Sequence, residues 1–220
     1  MKEMLITIDG PAGAGKTTVS RKLADRLNYR YVDTGALYRG VALAALNKGV
    51  DASDDEGLAA LCADLELRFV NTADGTRLLA NEVDISDQIR TMEISMLAST
   101  VSARPLVREF LLHQQRRLGK EKRVVFEGRD MGTVVFPEAE AKFFLEASVA
   151  ERARRRYAEL PPGSDLTLEQ VTADISRRDD QDRNRSHAPL KPAPGAILID
   201  STDKSVSAVV EEMLASLKTL

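Results

Sequence analysis

Residues 4–9, Met-Leu-Ile-Thr-Ile-Asp, form a short run of apolar and β-branched side chains that stops abruptly at Gly10-Pro11. That is the pattern of a buried strand entering a turn. From Thr17 the period changes. Val19, Leu23, Ala24 and Leu27 recur at helical spacing, with Arg21, Lys22, Asp25 and Arg26 between them. The same alternation continues along the chain. It predicts further strands at 29–32, 123–126, 141–145 and 196–199, and helices at 36–47, 56–65, 95–118, 148–159, 168–179 and 205–217. Strands alternating with helices predict an α/β fold in which a parallel sheet is covered on both faces.

Two segments depart from that rhythm. Residues 65–70, 77–79 and 83–85 read as three short extended pieces around turns at 72–75 and Asn81-Glu82, the pattern of a small antiparallel insert. Residues 152–185 are rich in Arg and Asp and are split by Pro161-Pro162-Gly163. There is no internal repeat and no low-complexity tract.

The turn after the first strand carries chemistry. Gly10, Pro11, Ala12, Gly13, Ala14, Gly15, Lys16 and Thr17 match the pattern G-x-x-x-x-G-K-[ST] without a mismatch, and Thr18 follows at the start of the helix. Glycines let the backbone turn its N–H groups inward and let phosphates approach closely. The helix N-terminus adds positive dipole at the same point. Lys16 would place a mobile cation on the β- and γ-phosphates, and the Thr17 hydroxyl would ligate the Mg²⁺ that bridges them. A strand before the loop and a helix after it make this a nucleoside triphosphate site, with ATP and Mg²⁺ as the expected cofactors.

Composition narrows the class. The 220 residues are 43% hydrophobic and 30% charged, which suits one globular domain with small inserted subdomains. The net charge of −3, from 31 basic and 34 acidic residues, argues against a protein that coats nucleic acid. Cys62 is the only cysteine, so a reducing, cytoplasmic setting is expected. The first residues lack the pattern of a secretion signal, and no apolar run approaches the roughly 20 residues of a membrane span. His113 and His187 are far apart and, with one cysteine, make a poor metal site. No heptad or apolar stripe asks for a partner, so a monomer is expected.

Other loop-bearing classes fit less well. A guanine-reading N-K-x-D is missing, because Asn47-Lys48-Gly49-Val50 lacks the aspartate. A mechanical ATPase would end an apolar strand in Asp-Glu, whereas Val124-Val-Phe-Glu127 runs into Gly128-Arg129-Asp130. Arg39, Arg108, Arg129, Arg178 and Arg185 each lie beside polar residues at the edge of an inferred core element. An enzyme that moves a phosphoryl group between two phosphorylated substrates must neutralise both, together with the charge that develops in flight. Arginine does so with a planar fork that keeps its proton. Arg152, Arg154, Arg155 and Arg156 are read equally well as a solvated helix face or as functional groups. The interleaved Arg178-Asp-Asp-Gln-Asp-Arg-Asn-Arg185 suggests a mobile lid whose charges pair with one another when open and turn onto phosphates when closed.

Three segments carry a closer likeness. Asp33-Thr-Gly-Ala-Leu-Tyr-Arg39, Glu127-Gly-Arg-Asp-Met-Gly-Thr-Val-Val-Phe-Pro137 and Arg178–Arg185 resemble the hallmark segments of bacterial cytidylate kinases, and the likeness runs from Ile6 to Ser201. The resemblance implies a three-layer α/β/α fold with a five-stranded parallel sheet. The monophosphate-binding insert would span about 34–105 and the lid about 150–188 of a single kinase domain. It implies that CMP or dCMP accepts the γ-phosphoryl group of ATP. Thr34, Arg39, Arg129, Arg178 and Arg185 would contact the CMP phosphate or the group in flight. Lys16, Arg129, Arg178 and Arg185 would be the catalytic set. Ser99, Arg108 and Asp130 would read the cytosine edge, and Asp182, with Arg178, would hold the ribose. Glu127 stands where relatives more often carry Asp, Thr34 where they often carry Ser, and Thr18 where some carry Gly. The rivals are another small-molecule kinase, for a different nucleotide or a hydroxy acid such as shikimate, and a non-catalytic nucleotide-binding regulator.

Overall fold

The computed structural model describes residues 3–72, 75–161 and 163–220. Met1, Lys2, Ala73, Asp74 and Pro162 lie outside the described residues, and with them part of the expected turn at 72–75 and of the break at 161–163. The chain forms two units: residues 1–32 with 119–220, and residues 33–118.

The first unit is built on β1 (Leu5–Asp9), whose five residues are all buried. Chain order continues with α1 (Lys16–Leu27) and β2 (Arg30–Asp33), the latter running to the start of the second unit. The second unit opens with α2 (Thr34–Lys48) and α3 (Asp55–Ala63). Asp33 caps α2 by accepting the Ala36 N–H at 3.0 Å, and Asp54 does the same for α3 through Gly57. Strands β3 (Leu67–Thr72), β4 (Gly75–Ala80) and β5 (Val83–Asp84) form an antiparallel sheet in that order. Asn81 and Glu82, both at positive φ, make the two-residue hairpin turn that the sequence marks.

A 3₁₀ turn (Gln88–Arg90), α4 (Met92–Val101) and α5 (Pro105–Leu118) complete this unit. The sequence predicts one helix over 95–118; the chain makes two. Pro105 cannot donate to the preceding turn, so it begins a new helix at its first position, where a missing N–H costs nothing. The core is Leu37, Val41, Leu58, Leu61, Val101, Val107 and Leu111, with Cys62 at its edge.

Back in the first unit come β6 (Val124–Gly128), β7 (Ala141–Glu146), α6 (Val149–Ala158), α7 (Leu168–Asn184), β8 (Ile197–Asp200) and α8 (Val206–Leu217). The sheet order is β2-β6-β1-β7-β8. β1 pairs in parallel with β6 and β7, and β7 in parallel with β8. The central position of β1 explains why all five of its residues are buried and why apolar and β-branched side chains dominate it, since a strand covered on both faces needs no alternation. Val19 and Leu23 of α1 pack with Val209, Val210 and Met213 of α8 against Ile6, Ile8 and Phe143 of the sheet. Helices α6 and α7 hold a small core of their own from Ala153, Val171 and Ile175. α7 extends past the expected end at 179, so the Arg- and Asp-rich segment is helical to Asn184.

Candidate active site

The glycine-rich loop joins β1 to α1, at the carboxyl end of the central strand. That is where open α/β sheets bind ligands. Gly10 has φ +150°, and a Cβ there would overlap the Leu145 carbonyl oxygen. Gly13, at φ +76°, lies so close to Arg152 that a Cβ would sit 3.0 Å from the Arg152 Cβ. Only glycine meets both demands. The loop carbonyls are held by protein donors. Lys16 Nζ donates to Pro11 O at 2.7 Å, Arg152 Nη1 to Ala12 O at 3.0 Å, and Ser201 Oγ to Ala14 O at 3.2 Å. Anchored carbonyls suit a loop whose amides must face an anion.

Lys16 is buried, and burial pushes its ammonium down to about 7; neighbouring Arg129 adds to the fall, while Glu127 opposes it. Thr17 donates from Oγ1 to Glu127 Oε1 at 2.8 Å. Glu127 sits near the end of β6, next to β1 in the sheet. Thr18 is exposed on α1.

Beyond Glu127 the chain makes one wide helical turn, Met131–Val135, closed by Phe136 N–H on Met131 O at 2.7 Å. Such π-type turns favour functional sites. Its first two N–H groups, from Met131 and Gly132, go to the two carboxylate oxygens of Asp9 at 2.8 and 2.7 Å. Asp9 therefore caps from β1 the turn that follows Arg129 and Asp130. Burial pushes the Asp9 carboxyl up to about 6, the two N–H bonds notwithstanding.

The predicted acceptor residues of the first unit come together as an ion-pair network. Arg129 Nε donates to Asp182 Oδ2 at 2.9 Å. Arg185 lies 3.8 Å from both Asp130 and Asp182 and donates from Nε to Ala188 O at 2.7 Å. Burial pushes Asp182 up, but Arg129, Arg178 and Arg185 together hold it below the usual carboxylate range. Arg178 also acts electrostatically on Lys16. Lys16, Arg129, Asp130, Arg178, Asp182 and Arg185 thus form one cluster of alternating charge beside the loop.

The second unit carries the other four. Thr34 is buried at the first position of α2. Arg39 lies one turn on and donates to Asp33 Oδ2 at 2.8 Å; its Nε is buried without an acceptor among the described residues. Ser99 is on α4, and Arg108 on α5 stacks its guanidinium 5.6 Å from the centre of the Tyr38 ring.

Besides Glu127, three participants have no assigned role in the sequence. Asp9 is one; a carboxylate ending a wholly buried strand was the available signal. Tyr31, whose hydroxyl donates to Glu127 Oε2 at 2.5 Å, has no signal in the sequence. Arg152 is the third. It is nearly sealed from solvent and donates to both carboxylate oxygens of Asp179, at 3.1 and 2.6 Å, as well as to Ala147 O and Ala12 O. Its neighbour Arg154 is exposed and Arg156 half-exposed, while Arg155 turns inward to Ser201.

The donor set at Thr17 fits Mg²⁺. It consists of hard oxygens, and no group of three or more His, Cys, Asp or Glu side chains could cage a metal among the described residues. A cation there would take most of its ligands from water and phosphate, as Mg²⁺ does.

A phosphate loop on the central strand of a five-stranded parallel sheet, with a cluster of arginines beside it, defines a P-loop kinase. The cytidylate kinase family model matches residues 6–219, so the chain belongs to the cytidylate kinase family. The cytidylate kinase of Syntrophotalea carbinolica is 51% identical over 214 residues, covering 97% of this chain and 91% of that protein. That of Geobacter sulfurreducens is 51% identical over 211 residues, covering 96% and 91%. A shikimate kinase structure from Bacteroides thetaiotaomicron aligns over 98% of each chain with a TM-score of 0.50 at 13% identity, a likeness of fold alone. No helix among the described residues is long and apolar enough to cross a membrane.

Proposed function

We propose that this protein transfers the γ-phosphoryl group of ATP to CMP or dCMP, giving CDP or dCDP and ADP. The observation that carries the reading is the network of Arg129, Asp130, Asp182 and Arg185 beside Lys16. A hydrolase would need only the loop. An acceptor that is itself a phosphate needs this second set of cations, and no strong base, because it arrives as an anion.

The loop, residues 10–18, holds the triphosphate. Thr17 would hold Mg²⁺, which would supply positive charge against the triphosphate. Lys16, Arg129, Arg178 and Arg185 stabilise the charge that spreads over the transferring group. Thr34 and Arg39 hold the acceptor phosphate. Asp182 holds the ribose hydroxyls, and its low proton affinity keeps it an acceptor at neutral pH. Asp130 accepts from the exocyclic amino group of cytosine, while Arg108 and Ser99 serve the ring acceptors. Uracil reverses two of those groups and would leave buried polar atoms unpaired. Helices α6 and α7 act as a lid that excludes competing water. Arg152 and Asp179 anchor the root of that lid at Ala12, so its travel belongs to the helix ends remote from the loop. The protein works as a cytoplasmic monomer and binds no nucleic acid; the lone buried Cys62 suits the reducing compartment, and the net charge of −3 the absence of nucleic acid.

Replacing Asp130 with alanine tests the assignment. The KM for CMP rises about 10- to 100-fold, the worth of one base-reading contact, while the KM for ATP changes less than about threefold. An equal rise in both would remove Asp130 from base recognition.

A further inference from the structure

Glu127 differs from a shorter aspartate in having one more rotatable bond, so its carboxylate needs more to hold it in place. A threonine and a tyrosine hydroxyl both donate to it. Thr17 Oγ1 gives its proton to Oε1 at 2.8 Å, and the Tyr31 hydroxyl gives its own to Oε2 at 2.5 Å. The second is the short contact expected of a hydroxyl on a carboxylate. Glu127 is buried, and Tyr31 comes from β2, the strand beside β6 in the sheet. The Tyr31 ring is held in turn by the Arg21 guanidinium of α1, 5.3 Å from its centre. A line of contacts therefore runs from Arg21 through Tyr31 and Glu127 to Thr17.

We infer that Tyr31 is a positioning residue for the metal–nucleotide site. It fixes the Glu127 carboxylate so that Oε1 takes the Thr17 proton. A Thr17 hydroxyl whose proton is committed to Glu127 presents its lone pairs to a cation. Without the Tyr31 hydroxyl, Oε2 loses this donor, the carboxylate is freer to turn, and Thr17 is held less firmly in its orientation. The inference rests on the reading of the loop as a Mg²⁺–triphosphate site.

Calorimetric binding of a non-hydrolysable ATP analogue, with Mg²⁺ and with EDTA, tests it. Wild-type protein binds the analogue, and Mg²⁺ tightens the binding. Tyr31→Phe loses about tenfold of that tightening, the usual cost of removing an outer partner of a metal ligand, while its affinity in EDTA stays within about twofold of wild type. In a Glu127→Gln background the same substitution adds no further loss, because the group it orients has already gone. The inference is overturned if Tyr31→Phe tightens with Mg²⁺ as wild type does, if its affinity falls equally in EDTA, or if its effect survives intact beside Glu127→Gln. Wild-type protein that fails to bind the analogue, or binds it without regard to Mg²⁺, would overturn both the inference and the reading beneath it.

Discussion

Lys16→Met lowers kcat with CMP and ATP about 100- to 1,000-fold, the range seen when one preorganised donor to a developing charge is removed. Two features make the loss large. The ammonium is buried, so water cannot take its place, and it is the one lysine in a cluster otherwise made of arginines and carboxylates. Methionine keeps the apolar stem and the fold while deleting the charge. The same side chain carries a pH signature. Burial, with help from Arg129, brings its pKa in the free protein from 10.5 down to about 7. Above pH 7 the free enzyme therefore holds Lys16 largely neutral. A bound triphosphate favours the charged form and restores the proton. Nucleotide binding at pH 8 is expected to take up a proton through Lys16, and binding at pH 6 is not. Titrations in two buffers of different ionisation enthalpy measure this, and the uptake disappears in Lys16→Met. Unchanged uptake in the variant would assign it elsewhere. The stability of the free protein carries the same sign. Between about pH 7 and 10.5 the unfolded chain holds this proton and the folded chain does not, so the Lys16 contribution to stability rises with pH.

Asp179→Ala destabilises the protein by about 3–5 kcal/mol, because it leaves the Arg152 guanidinium buried and without its carboxylate. For a chain of this length that is a fall in Tm of about 10 °C or more. The pair is sealed, with side-chain exposures of 2% and 5%, so solvent does not screen it. Replacing both partners by apolar residues, Arg152→Met with Asp179→Leu, recovers most of the stability, since no charge is stranded. It does not recover nucleotide affinity, because the Ala12 carbonyl loses the donor that anchors the loop. Thermal melts and nucleotide titrations of the single and double variants separate the two roles. A loss below about 1 kcal/mol in Asp179→Ala would mean that water or another group reaches Arg152.

The elements that were legible in the sequence are those with strong local patterns. β1 reads as a buried strand because five consecutive residues must pack on both faces. The phosphate loop reads completely because its chemistry is contiguous. The insert reads through its turns, and Asn81-Glu82 falls where expected. The boundary missed at 102–104 is a different case. The apolar period runs on across it, and Pro105 breaks the helix by backbone sterics that the period does not record. The site divides in the same way. Arg129, Asp130, Asp182 and Arg185 lie in two polar segments that share the likeness to one family, and the fold joins them into one network. Arg152 stood among four arginines, and no spacing shows which of them faces a carboxylate 27 residues away. Tyr31 and Glu127 are 96 residues apart and meet only because β2 and β6 are neighbours. Arg108 stands out in the sequence only as one of five arginines beside polar residues at the edge of a core element, and its base-reading role, like that of Ser99, is what the family resemblance implies.

The central claim is tested most directly by following ADP formation from MgATP with CMP, dCMP, UMP, AMP, GMP and shikimate in parallel, beside a control without acceptor. Rapid turnover with CMP or dCMP, weaker turnover with UMP and almost none with the others is the expected result. ADP formed at the same rate without any acceptor would contradict it, leaving a nucleotide-hydrolysing loop and removing the acceptor roles assigned to Asp130 and the arginines.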